Sequence, residues 1–353
     1  MLETLVETLG QVGKPAHVYR SPDGTAVLLL PYGGRVLGLF APQSGENFYW
    51  THPALQTAAT AREFYASSDW HNSGGERTWL APELDFFFPD YPNRDRYWQP
   101  RQLDPGDYRL ISDRRGRRLV NRLECVLSRT KTTVELEITK SISPALNPLR
   151  HEFQLKLSGL AYAGYSQETT LTVLACRGDP QVQVGLWNLI QMPHGGELLV
   201  ASCGRAFPAI VFGTVDGQDF AIGDHLACYR MRARGEQKIS FRAVTVTGRI
   251  GYRYQTPDGS WSLVIRNVSI NPSGQYVDVP WDAPDAFGYA VQACNIHSPL
   301  GEFSELEYHA PAISPGAGPD FCADVSQVWA FRGSREEINT VVRALLAPDF
   351  SGD

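Results

Sequence analysis

Residues 132–139 read Thr-Thr-Val-Glu-Leu-Glu-Ile-Thr, and they alternate without a break. Val134, Leu136 and Ile138 fall on one side, while Glu135, Glu137 and Thr139 fall on the other. A period of two is the mark of a strand with one buried face. Similar runs continue outward in both directions: residues 169–175 (TTLTVLA), 182–192, 239–254, 261–270, 288–296, 304–310 and 326–331 on one side, and 26–30 (AVLLL) with 35–40 (RVLGLF) on the other. The turn PYGG at 31–34 joins the last two, and short breaks such as TPDGS at 256–260 and NPSGQ at 271–275 separate later runs. Such short turns suit antiparallel neighbours and leave no room for helical crossovers. The fold class expected is all-β. Helix is expected only at the ends. Ser334 and Glu337 form a capping box ahead of Ile338, Val341, Val342, Leu345 and Leu346, and Leu2, Leu5, Val6 and Leu9 give a weaker amphipathic pattern.

At 353 residues the chain could make two average domains or one large β unit, and no linker, repeat or low-complexity tract divides it. A single domain over 1–353 is expected. Formal net charge is −6, which disfavours nucleic acid and anionic membrane surfaces as partners. The sequence offers no apolar run long enough to span a bilayer, and its opening residues lack the form of a secretory signal, so a cytoplasmic location is expected. The six cysteines are far apart, with no CxxC pair, and read as reduced thiols buried in strands. Neither a metal nor a cofactor is expected, since no HExxH, phosphate loop, GxGxxG or GxSxG pattern occurs. Arg114, Arg115, Arg117 and Arg118 around Gly116 read best as a solvated loop between two strands. Oligomeric state is not legible.

Residues 64–98 stand apart. Ten of these 35 residues are aromatic, against 39 in the whole chain, and Gly, Pro, acids, amides and Arg are interspersed. A sugar ring needs such a mixture, because its C–H faces stack on indoles and phenols while its hydroxyl rim needs paired donors and acceptors. His71, Asn72, Glu76, Arg77 and Glu83, beside Trp70 and Trp79, are the candidate contacts, while aromatics such as Phe86 and Phe87 read better as local core.

The run His71-Asn72-Ser73-Gly74-Gly75-Glu76-Arg77-Thr78-Trp79, with Ala81-Pro82-Glu83 behind it, resembles the His/Gly-Gly/Trp segment of galactose mutarotase-like proteins, the aldose 1-epimerase superfamily. PYGGRVLGLF at 31–40, LWNLIQMPHGG at 186–196, SELEYHAPAISPG at 304–316 and the strand ending VWAF extend the resemblance over most of the chain. It implies a β supersandwich of two large antiparallel sheets. It also implies a small-molecule carbohydrate as partner, and a glutamate and a histidine that open and re-close a sugar ring by proton transfer. His71 matches the Gly-Gly segment histidine. The central strand departs from the pattern, carrying Trp187 and Gln191 on one face with His194 beyond Pro193, and the late strand has Gln292 where an acid would be expected. A glutamine cannot be the base. Glu305 and Glu307, which alternation puts on one face of the next strand, could replace it.

Three functions follow. One is an epimerase with His71 or His194 as acid and Glu305 or Glu307 as base. The second is a sugar-binding module without chemistry, which Gln292 favours. The third is glycoside cleavage by a carboxylate pair such as Glu83 with Glu305.

Overall fold

The computed structural model describes residues 1–42, 44–113 and 116–352, without the side chain of Asp113. Its strands form two antiparallel sheets. The nine-stranded sheet runs from edge to edge as His17–Arg20, Ala26–Leu30, Arg35–Phe40, Glu76–Ala81, Gly185–Pro193, Gly301–His309, Val291–Ser298, Gly235–Phe241 and Ala209–Phe212. The ten-stranded sheet runs as Phe220–Ile222, Leu226–Arg230, Glu197–Ser202, Val246–Gln255, Trp261–Val268, Phe321–Gly333, Ala161–Arg177, Thr133–Pro144, Gly116–Val126 and Arg109–Asp113. Both sheets take strands from early and late sequence, which is why no boundary between halves is visible in the composition.

Val134, Leu136 and Ile138 do share a buried face, and the same phase carries Lys140 inward behind them. Between the sheets, Val27, Leu29, Ile190, Leu306 and Ile239 from one meet Tyr165, Leu198, Ile250, Val264 and Val328 from the other. One charged cluster crosses that interior. Glu76 accepts from Lys140 Nζ at 2.5 Å, from Gln167 Nε2 at 2.8 Å and from Arg266 Nη2 at 3.4 Å, with all four side chains sealed from solvent. Burial by itself would raise the Glu76 pKa, but Lys140 and Arg266 outweigh it and hold the carboxyl below its usual range.

The C-terminal helix Arg335–Leu345 lays Ile338, Val341, Val342 and Leu345 on the outer face of the ten-stranded sheet, against Leu199, Leu263, Ile265, Trp329 and Phe331. Its capping box is complete: Ser334 Oγ accepts from the Glu337 amide, and Glu337 accepts from the Ser334 amide. Ser334→Ala should cost about 1 kcal/mol, read as a lowered thermal midpoint with unchanged sheet content. The N-terminal helix Leu2–Gln11 packs Leu2, Leu5 and Leu9 on Leu28, Leu30 and Leu37 of the other sheet.

Helix is not confined to the ends. Ala58–Ala66 is helical, started by the Thr57 side chain accepting from the Thr60 amide, and it buries Ala61 alone. So narrow an apolar face leaves little periodicity to read. The six cysteines are free, but Cys203 is exposed in a bend and Cys176, Cys228 and Cys322 are only half-buried, so the expectation of buried strand thiols holds for Cys125 and Cys294. In the arginine-rich turn, Asp113 pairs with Gly116 at the start of a hairpin, while Arg114 and Arg115 lie outside the described residues. Among the described residues no helix is long and apolar enough to cross a membrane.

Candidate functional site

Alternation along Glu76–Ala81 divides its side chains between two environments. Glu76 turns inward to the cluster just described, and Arg77 and Trp79 turn outward. Trp79 stands opposite Trp187 on the next strand, Gln191 opposite Glu305 on the one beyond, then Glu305 opposite Cys294, and Cys294 opposite Lys238. Five adjacent strands therefore present side chains on the one outer face of the nine-stranded sheet. Tyr97 and Trp281, from the loops around 87–108 and 269–290, close over these side chains. The enclosed cleft has a volume of about 240 Å³.

Its walls are aromatic. Trp79 packs on Trp187 at 5.2 Å and on Phe87 at 4.8 Å, and its indole N–H donates to Asp104 Oδ2 at 3.1 Å, which Arg35 holds from the other side at 2.9 Å. Trp79 is only 4% exposed, so it is a fixed wall, whereas Tyr97, at 37%, offers more open surface. The Arg77 guanidinium lies over the Trp79 ring at 4.1 Å, and Lys238 Nζ lies over Trp187 at 4.3 Å.

The floor is ionic. Glu305 Oε1 accepts from Arg77 at 2.9 Å and from Gln191 at 2.8 Å. Glu83 accepts from Tyr97 at 2.8 Å, Trp281 at 2.9 Å and Lys238 at 3.3 Å. Glu307 accepts from the Trp187 indole at 2.8 Å, and Lys238 lies 3.4 Å away. Burial first, opposed by Lys238 and reinforced by Glu305 and Glu83, pushes the Glu307 carboxyl up to about 8. Burial works against the charge of Lys238, yet Glu307, Glu83 and Asp278 together raise its pKa above the ordinary lysine range.

Several buried atoms here lack a protein partner: Arg77 Nε and Nη1, Gln191 Oε1 and Glu307 Oε1. They supply donors and acceptors of the kind that ligand hydroxyls use. Cys294 Sγ and one oxygen each from Glu305 and Glu307 also lie within 4.8 Å of one another, a spacing that could converge on a cation. Lys238 already brings positive charge to Glu307, and burial holds the Cys294 thiol well above its usual range, so both disfavour a metal there.

Of the residues singled out in the sequence, Arg77, Trp79, Glu83, Trp187, Glu305 and Glu307 line the cleft, and Gln191 supports Glu305 from its edge. Gln292 sits behind: it donates to Asp278 at 2.8 Å, and Asp278 in turn accepts from the Glu83 amide. The remaining four residues lie elsewhere. Glu76 is inside the core. His71 bonds Tyr32 Oη at 2.6 Å and Ser67 Oγ at 3.3 Å, Asn72 is buried with its amide unpartnered, and His194 lies 4.9 Å from the His297 ring. Burial first lowers the pKa of both His71 and His194. Among the described residues no histidine lines the cleft. His309 comes nearest, stacked on Trp187 at 5.7 Å, where burial and then Lys238 push its pKa down to about 3.

The paired glycines serve strand packing and not approach to a ligand. A Cβ on Gly74 would meet Trp50 O at 2.5 Å, and one on Gly75 would meet Val36 O at 2.4 Å. Lys238, Tyr97, Trp281 and Cys294 were not anticipated. Lys238 carried a faint signal as a lone lysine within the strand GEQKISF.

The chain is similar to galactose mutarotase-like structures. One such protein from Lactobacillus casei matches with a TM-score of 0.48 and 10% identity over 89% of this chain and 99% of that one. Another from Clostridium acetobutylicum gives 0.45 and 9% over 90% and 95%. A galactose 1-epimerase from Lactobacillus acidophilus gives 0.40 and 9% over 90% and 94%. No protein-family model and no curated protein matches the sequence. The two-sheet supersandwich expected from the sequence is the arrangement of the nine and ten strands.

Proposed function

We propose that the cleft binds a neutral carbohydrate and that Glu305 and Glu307 act on it as base and acid. The observation that carries this reading is a pair of buried carboxyl groups on one strand face, held differently, at the floor of an aromatic-walled cavity. Arg77 and Gln191 both donate to Glu305, whereas burial favours the protonated form of Glu307. Glu305 would take the proton of the anomeric hydroxyl while Glu307 gives its proton to the ring oxygen as the C1–O5 bond breaks. Rotation and the reverse transfers close the ring as the other anomer, returning both protons. The volume of about 240 Å³ lies below the range typical of drug-sized ligands and suits a single ring.

A second reading is a binding module without turnover. That no histidine among the described residues lines the cleft favours it. Calorimetric titration with a panel of aldoses, beside polarimetry of freshly dissolved α-glucose and α-galactose, separates the two. Saturable binding with mutarotation at the spontaneous rate leaves the module, and no binding of any sugar removes both. Trp281→Ala should weaken the bound sugar about tenfold through lost stacking, with a far smaller change in thermal midpoint, because Trp281 is a half-buried loop residue.

A further inference from the structure

The outer face of the ten-stranded sheet carries a second cavity, of about 360 Å³, beyond the start of the C-terminal helix. Glu197 stands opposite Arg230 on one neighbouring strand and opposite Arg253 on the other, so these three side chains share one face in a row. Arg232 and Arg335 complete the charged lining, and Trp261 forms part of the wall. In a chain of net charge −6, four arginines line this one small cavity.

Two of these guanidiniums are set in place. Arg253 Cζ lies 5.1 Å from the Trp261 ring centre and Arg335 Cζ lies 5.5 Å from it. Arg253 also donates to Glu197 at 2.7 Å and to Asn339 at 2.5 Å, while its Nε is buried and has no partner. Arg335 spends one nitrogen on the Gly352 carbonyl at 2.6 Å. Arg232 pairs with Asp219 at 3.0 Å, and Arg230 makes no ion pair among the described residues. Among the described residues, Glu197 and Asp219 pair with two of the four arginines, and Arg230 and Arg335 make no ion pair.

We propose that this cavity is a second ligand site, which binds the phosphate group of a small soluble metabolite. Planar guanidinium forks converging from two strands and a helix match the three peripheral oxygens of a phosphate monoester, and stacking on Trp261 orders two of them before binding. The negative charge of the whole chain opposes a long polyanion, and a small dianion carries little of that cost.

The test is calorimetric titration of the full chain with inorganic phosphate, a hexose phosphate and the unphosphorylated hexose, repeated with Arg230→Ala and Arg335→Ala, whose side chains are both exposed. Saturable binding of a phosphate probe that weakens tenfold or more in each variant, and weakens with added salt, is the expected result. Inorganic phosphate binding as tightly as the ester would show that the anion alone is read, and tighter binding of the ester would show contacts to its remainder. Either outcome upholds the site. No saturable binding of either phosphate probe, or binding unmoved by both substitutions, overturns it. Binding of the unphosphorylated hexose at the first cleft should be the same in all three proteins, so the two sites fail independently.

Discussion

Glu76→Gln is expected to destabilise the protein by about 3–5 kcal/mol, one of the largest losses a single polar substitution here should produce. Lys140 and Arg266, both sealed from solvent on the ten-stranded sheet, each pair with that one carboxylate of the facing sheet, and removing its charge leaves two buried cations without it. Denaturant unfolding should show a lower midpoint with an unchanged slope. The same variant, measured where it remains folded, should bind sugar as the parent does, because Glu76 points away from the cleft that its neighbour Arg77 lines. A loss of affinity without a loss of stability would place Glu76 in the site after all. Because the folded-state pKa of Glu76 lies below its unfolded value, its contribution is present above about pH 4.5 and is lost as pH falls through the folded value.

Glu307→Gln should act in the opposite way. An amide has the shape of the protonated acid, keeps an oxygen for the Trp187 indole and for Lys238, and cannot give up a proton to a ring oxygen. Turnover should therefore fall about 10²- to 10⁴-fold while sugar affinity stays within about threefold. In the parent protein the rate should decline as pH rises through about 8, where Glu307 loses its proton. Stability carries a matching signature. With the folded pKa raised above the unfolded one, the Glu307 contribution is fully present below about pH 4.5 and is lost by about pH 8, and the glutamine variant should lack that slope. Equal anomerisation by the parent and the variant would remove Glu307 as the acid.

The sequence by itself determined the periodicities. Val134, Leu136 and Ile138 specify a half-buried strand whatever its neighbours are, because the pleat sends alternate side chains to opposite faces. The same rule correctly pairs Glu305 with Glu307 and Trp187 with Gln191, and the Ser334–Glu337 box marks where the last helix begins. Local rules reach no further. Alternation also separates Glu76 from Arg77, but composition grouped them, since an aromatic and charged segment reads as one site when its pleat is ignored.

Only the tertiary structure decided which residues meet. Lys238 lies 155 positions from Glu83 and Glu305 lies 228 from Arg77, and antiparallel register across five strands, with Glu83 in the short helix just beyond the first of them, brings all four to one cleft. Register depends on which faces are buried against which, a property of the packed sheets and not of any one strand. The raised pKa of Glu307 has the same origin. It follows from burial beside two other acids and a lysine, and none of those neighbours but Glu305 is near it in sequence.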